Sequence, residues 1–142
     1  VTSTRRIATA ALLLLLAGTV WAAASHDCGS YMMRYRVAAS SALSAESLEL
    51  LDVSAQPNVG VINVMLLDKG SKATVNGRIQ VIIKQASGMM RSLKLRQIDD
   101  KEGTLFYAAK FDYTADEALD FELSVSALGQ PPQTFSFTET LQ

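Results

Sequence analysis

One cysteine, one histidine and one tryptophan are all that 142 residues contain of these three types. A lone Cys28 cannot close an internal disulfide, so a domain outside the cytoplasm would have to be held by its core alone. A lone His26 leaves no zinc-ligand spacing, and a serine triad would depend on a base next to a frayed chain end. The eight glycines include no phosphate-binding loop, and the three prolines build no low-complexity linker. No repeat of fixed period is present. With a net charge of −1 and no aromatic residues interleaved outward with the basic ones, the chain does not read as a nucleic-acid binder.

The one long apolar run is at the start. Arg5-Arg6 precede Ile7 to Val20, with five consecutive leucines from Leu12 to Leu16, and Trp21-Ala-Ala-Ala24-Ser25 follows. Charge, then apolar residues, then small residues at −3 and −1 of a cut after Ala24 predict a secretory signal peptide over 1–24. An initial valine fits a non-AUG start, common in bacteria, which makes the Gram-negative periplasm the expected compartment. The run is short and diluted for a retained span, which takes about 20 apolar residues. Asp27 directly before Cys28 is a poor match to a lipidation box.

Residues 25–142 read as a single domain with 14 acidic and 11 basic residues. A chain of that length can bury roughly two thirds of its unfolded surface. Almost everything after Ser30 has period two. Tyr31, Met33, Tyr35 and Val37 alternate with Met32, Arg34 and Arg36. Val59 to Leu67 is nearly continuous apolar, as in a central strand covered on both faces, with Asn63 as its polar interruption. Asn76-Gly77 predicts a bulge or bend within an extended stretch from Ala73 to Gln85. Met90 to Ile98 reads as one strand, with Leu93 and Leu95 inward and Lys94 and Arg96 outward. Leu105 to Tyr113, Leu119 to Val125 and Phe135 to Leu141 complete the set. About seven short strands with polar faces predict an all-β, antiparallel two-sheet sandwich of immunoglobulin or fibronectin type, ahead of a small barrel. Ser44 as N-cap, Glu46 in the first turn and the Leu43/Leu48 staple predict a short helix between the first two strands, plugging one end.

The order of these motifs resembles a known family. Cys28-Gly-Ser-Tyr31, Arg36-Val-Ala-Ala-Ser-Ser41, Leu43-Ser-Ala-Glu46, Gly60-Val-Ile-Asn-Val-Met-Leu-Leu67, Leu105-Phe-Tyr-Ala-Ala-Lys-Phe111 and Phe135-Ser-Phe-Thr138 carry the likeness. It is to small exported Gram-negative proteins catalogued only as a domain of unknown function. The resemblance implies a signal peptide and one β-rich domain, and supplies no catalytic, metal or cofactor residues.

Candidate sites are accordingly few. The acidic pairs Asp99/Asp100, Asp116/Glu117 and Asp120/Glu122 fall in turns or outward positions, where acids are usually solvated rather than paired for glycoside chemistry. An amino-terminal metal clip at His26 would need a cut after Ala23, with bulky Trp21 at −3. Asn63, if buried, must find partners, and is expected to tie a loop or bulge in place. Charge is segregated: Lys69 to Lys101 holds eight basic and two acidic residues, Glu102 to Gln142 one basic and seven acidic. The expected binding patch is Lys84, Arg91, Lys94 and Arg96, for an anionic envelope component or an acidic protein, unless Asp120 and Glu122 lie across from these cations and neutralise them. No cofactor is expected. Cys28 offers a route to a disulfide-linked homodimer. The functional expectation is a periplasmic, non-enzymatic binding protein. The alternatives are an assembly factor that pairs client strands with a sheet edge, and a small envelope hydrolase.

Overall fold

The computed structural model describes residues 24–142. All of the expected leader except Ala24 lies outside the described residues. Nine strands form two antiparallel sheets: β1 (Ala24–Asp27), β2 (Tyr31–Ala39), β3 (Val59–Asp68), β7 (Leu105–Asp112) and β6 (Arg96–Asp99) in that spatial order, and β5 (Met90–Leu93), β4 (Gly77–Lys84), β8 (Ala118–Ala127) and β9 (Gln133–Thr140). Lettering the strands A to G from β2, with β5 as an extra, gives the ABED and CFG sheets of the immunoglobulin sandwich.

The core between the sheets is built from alternate positions. Tyr31, Met33, Ile62, Val64 and Leu66 of the larger sheet meet Val81, Ile83, Phe121, Leu123 and Val125 of the smaller one, all at most 1 % exposed. The outer faces of the two sheets differ. On the smaller sheet the outer positions Arg78, Gln80, Lys84, Asp120, Glu122, Ser124, Thr134 and Ser136 are polar, with Ile82, Met90 and Ala118 as exceptions. On the larger sheet, Val61, Phe106 and Ala108 are buried beneath Leu51 in a second apolar cluster, joined by Leu43, Val53, Met65 and Ile98.

Leu51 ends helix α1 (Ala45–Leu51), whose start follows from sequence. The Ser44 side chain accepts from the Ser47 N–H at 3.1 Å, Glu46 lies in the first turn, and Asp52 closes the helix in the left-handed region at φ 54°. The helix does not plug an end of the sandwich as expected. It lies over the outer face of the larger sheet, because only there does Leu51 find apolar neighbours. Ser40 Oγ holds the return segment down, donating to the Gln56 carbonyl and accepting from its N–H, both at 3.0 Å.

Two further expectations are corrected. Residues 24–27 are not a frayed end: they pair with Met32 to Tyr35 as β1, and the His26 ring stacks on Phe135 at 4.5 Å. Met90 to Ile98 is not one strand. It crosses from the smaller sheet to the larger at Lys94-Leu95, so β5 and β6 belong to different sheets. The bend expected at Asn76-Gly77 is also a crossing. Thr74 still bridges Leu67 of the larger sheet, while Gly77 opens β4 in the smaller. A Cβ on Gly77 would sit 2.3 Å from Leu66 Cδ1 and 2.9 Å from the Ser126 carbonyl oxygen, so this crossing demands glycine.

Candidate functional site

The four cations of the expected patch do different things. Lys84 stands on the outer face of the smaller sheet, directly opposite Asp120. It is therefore separated from Lys94 and Arg96, and has the acidic neighbour that the neutralised reading anticipates. Arg91 reaches from β5 across the open side of the sandwich, where its Nη2 donates to the Asp112 carbonyl at 2.6 Å. Its Nε is buried and has no hydrogen-bond partner among the described residues. Arg91 is thus a strut between the two sheets. Arg96 is also committed. Its Nη2 donates to the Leu51 carbonyl at the end of α1, and its Nη1 lies 3.5 Å from the Asp52 carboxylate. A guanidinium at a helix C-terminus satisfies an orphan carbonyl and complements the negative end of the dipole.

Lys94 is the member left over, and the fold gives it a companion. Lys110 on β7, the one basic residue of the acidic last third, lines the same cleft of about 380 Å³ as Lys94 and Arg96. The cleft lies between the end of α1, the β5–β6 crossover and β7. Leu51, Val53, Val61 and Ala108 supply apolar lining, and Asp52 is the one acid. Lys94 and Lys110 are exposed. Among the described residues there are two ion pairs, Arg96–Asp52 and Lys69–Asp27. Neither cleft lysine is in one. A larger depression of about 660 Å³ on the same sheet sets Arg34 and Lys72 against Glu102, and so carries mixed charge. The cleft can therefore hold an anion against an apolar wall.

Asn63 lies directly opposite Arg36 in β2 and Ala108 in β7, with Arg96 next in the same cross-strand row. Its Oδ1 is buried and has no hydrogen-bond partner among the described residues. It ties down no loop through that atom, an arrangement that costs about 1–3 kcal/mol. Arg36 is 9 % exposed, and burial brings its guanidinium pKa down to about 10.

The remaining candidates serve the scaffold. Asp100 Oδ1 accepts from the N–H groups of Glu102 and Thr104, both at 2.8 Å, and so shapes its own turn. Glu117 Oε1 accepts from Ala86 N at 3.2 Å, and Asp120 Oδ1 from the Thr138 hydroxyl at 2.8 Å. Cys28 is 1 % exposed, and burial pushes its thiol pKa up. A thiol so placed reaches no second molecule unless its turn opens, so the disulfide-linked homodimer that the sequence leaves open would require that opening. Among the described residues no three of His, Cys, Asp and Glu are placed to hold a metal ion together.

Lys110 was not legible as a site residue. It lies 16 positions after Lys94 in a segment of opposite net charge, and only the pairing of β6 with β7 brings the two together.

Comparison with known proteins is consistent with this fold. The structure is similar to a crystal structure of a DUF4426 family protein from Pseudomonas aeruginosa PAO1, with a TM-score of 0.70 and 28 % identity over 83 % of this chain and 93 % of that one. It is also similar in fold to a copper-bound variant of FetP from uropathogenic Escherichia coli strain F11, with a TM-score of 0.59 and 6 % identity over 82 % of this chain and 93 % of that one. No functionally curated protein matches the chain. The match to the domain of unknown function DUF4426 runs over residues 25–142, from the residue after the expected cut to the last one, and the chain belongs to that family.

Proposed function

We propose that the protein is an exported, non-enzymatic binding domain that holds an anionic component of the cell envelope in the cleft between α1 and β7. One observation carries the reading: Lys94 and Lys110 line an apolar-walled cleft of about 380 Å³ and neither is in an ion pair among the described residues, while Asp52 in the same lining is paired with Arg96. A cleft in which one charge sign predominates, against low-dielectric walls, concentrates counter-charge. Arg96 adds to the field while its hydrogen bonds hold the helix end in place. The start of the family match at residue 25, directly after the expected cut, supports a leader that ends where the cleavage signature stands. His26 stacked on Phe135, and acids engaged in turns and strand contacts, support a binding role over hydrolysis.

Titration against anionic lipid vesicles and acidic glycans at low salt tests the reading. Binding is expected to weaken steeply as salt rises, because exposed charges are screened within about 8 Å at physiological ionic strength. The double substitution Lys94→Glu with Lys110→Glu should abolish it in a folded protein, while Lys84→Glu, on the other sheet, should leave it unchanged. Equal loss from Lys84→Glu, or no binding by the unaltered protein, removes the cleft from consideration.

A further inference from the structure

The sandwich has four sheet edges, formed by β1, β6, β5 and β9. Three of these strands are four residues long, and β9 has eight. An open edge presents unpaired N–H and C=O groups, and proteins usually blunt it with lysine, proline, a bulge or short length. From Gln133 to Thr140 there is no lysine, arginine or proline. The register with β8 holds without a bulge from Gln133 opposite Val125 to Thr140 opposite Ala118. The far side of β9 pairs with no described strand.

The strand's sequence then narrows what can pair with it. Gln133-Thr134-Phe135-Ser136-Phe137-Thr138-Glu139 reads nearly the same in both directions about Ser136. In an antiparallel pair, residues directly opposite one another share a face. We propose that β9 pairs with β9 of a second copy, antiparallel and centred on Ser136, joining two four-stranded sheets into one of eight strands across a two-fold axis. Phe135 then faces the partner's Phe137, Thr134 faces the partner's Thr138, and Gln133 faces the partner's Glu139. Every opposed pair in this register is matched in kind. A slip of two residues either way sets Phe137 against the partner's Gln133, or Phe135 against the partner's Glu139.

Side-chain packing within one copy points the same way. Phe137 stacks on Phe121 at 5.1 Å and on Tyr35 at 4.6 Å, and lies 6.2 Å from Phe135, yet both β9 phenylalanines remain half-buried at the margin. Across the axis the aromatic row continues into its own copy. On the outer face Thr134, Ser136 and Thr138 are exposed, with the Thr134 hydroxyl on Ser124 and the Thr138 hydroxyl on Asp120 of the same copy, so hydroxyl-bearing residues would oppose their like across the axis. A two-fold contact of one patch with itself closes at two copies.

The test uses protein expressed from the full-length sequence and purified from cells. Sedimentation equilibrium over about a hundredfold range of concentration should show a monomer–dimer equilibrium. Ser136→Lys places two lysines opposite each other at the axis, on an exposed position that leaves the monomer's core untouched. It should raise the dimer dissociation constant at least tenfold, and Ser136→Glu should do the same. An equimolar mixture of the two variants should recover association, now as a heterodimer. Circular dichroism in dilute solution checks that each variant folds. A monomer at every concentration, a Ser136→Lys dimer as tight as the unaltered one, or a mixture that fails to recover association would each overturn the proposal. So would purification with a foreign strand occupying the β9 edge. The cleft lies at the β5–β6 crossover, at the opposite edge of the sandwich from β9, so these outcomes and those of the cleft titration are independent.

Discussion

The two sheets of one sandwich solve different problems. The smaller sheet covers one face only, and its strands alternate: Leu119, Phe121, Leu123 and Val125 are buried while Asp120 and Glu122 are exposed. The larger sheet is covered on both faces at its centre, so Leu105 to Ala108 is four buried residues in a row and β3 is nearly continuous apolar. Alternation therefore reports a sheet with one wet face, and its loss reports a second layer. Here the second layer is a seven-residue helix and its flanks, and it is what creates the cleft.

The sharpest way to break that comparison is to weaken each layer in turn. Phe121→Ala removes a fully buried ring that touches Phe111 and Phe137 between the sheets. It should cost about 3–5 kcal/mol by urea denaturation. Leu51→Ala empties the centre of the outer cluster and should cost less, about 2–3 kcal/mol, because the thin layer above it can settle. Equal costs would make the helix part of the main core. A Leu51→Ala cost under about 1 kcal/mol would make the two outer faces equivalent. Arg96→Ala removes the hydrogen bond to Leu51 and the charge at the helix end, and should cost about 1 kcal/mol. Asp120→Ala, on the bare face next to Phe121, should change stability by under about 0.5 kcal/mol. A similar effect from Asp120→Ala and Phe121→Ala would mean the strand's register is slipped by one residue.

The smallest effect is visible only as a pH dependence. The Lys69 ammonium at 2.6 Å and the Gly29 N–H hold the Asp27 carboxyl below its ordinary 3.8. Its folded pKa is the lower one, so the stabilisation is present above 3.8 and lost as pH falls through the folded value. Asp27→Asn should therefore shrink the difference in urea midpoint between about pH 7 and about pH 3, since one carboxylate fewer is linked to folding. An unchanged difference would place the acid sensitivity elsewhere, with Asp68, lowered by the N–H groups of Ser71 and Gly70, as the next candidate.

Sequence reading was strongest where one residue decides its own environment. Ser44 caps a helix through an atom three residues away, and the strict alternation of β8 and β9 follows from a single wet face. It failed where a partner decides. Ala24 to Asp27 has no alternation and becomes a strand because β2 offers an edge. Met90 to Leu95 keeps period two into the crossover, because Leu93 at the end of β5 and Leu95 in the crossover both pack on the same core. The candidate site was half legible for the same reason. Lys94 and Arg96 are local neighbours, whereas Lys110 arrives through pairing, and Arg91 and Arg96 were assigned to a ligand while the fold uses them on backbone carbonyls.

Gln133 Nε2 donates to the Cys28 carbonyl at 2.8 Å across 105 positions of sequence, and β9 lays Phe135 over His26 and Tyr35. The last of the nine described strands is thus the one that seals the first. Until it arrives, Phe121 and Tyr35 lack their cover, and the nascent domain is a sandwich open along one side. Its final contacts are among its most distant, and such contacts slow folding because the loop must close before any of them forms. A chain cut short before Gln133 would therefore stay open, whatever the quality of the strands already made.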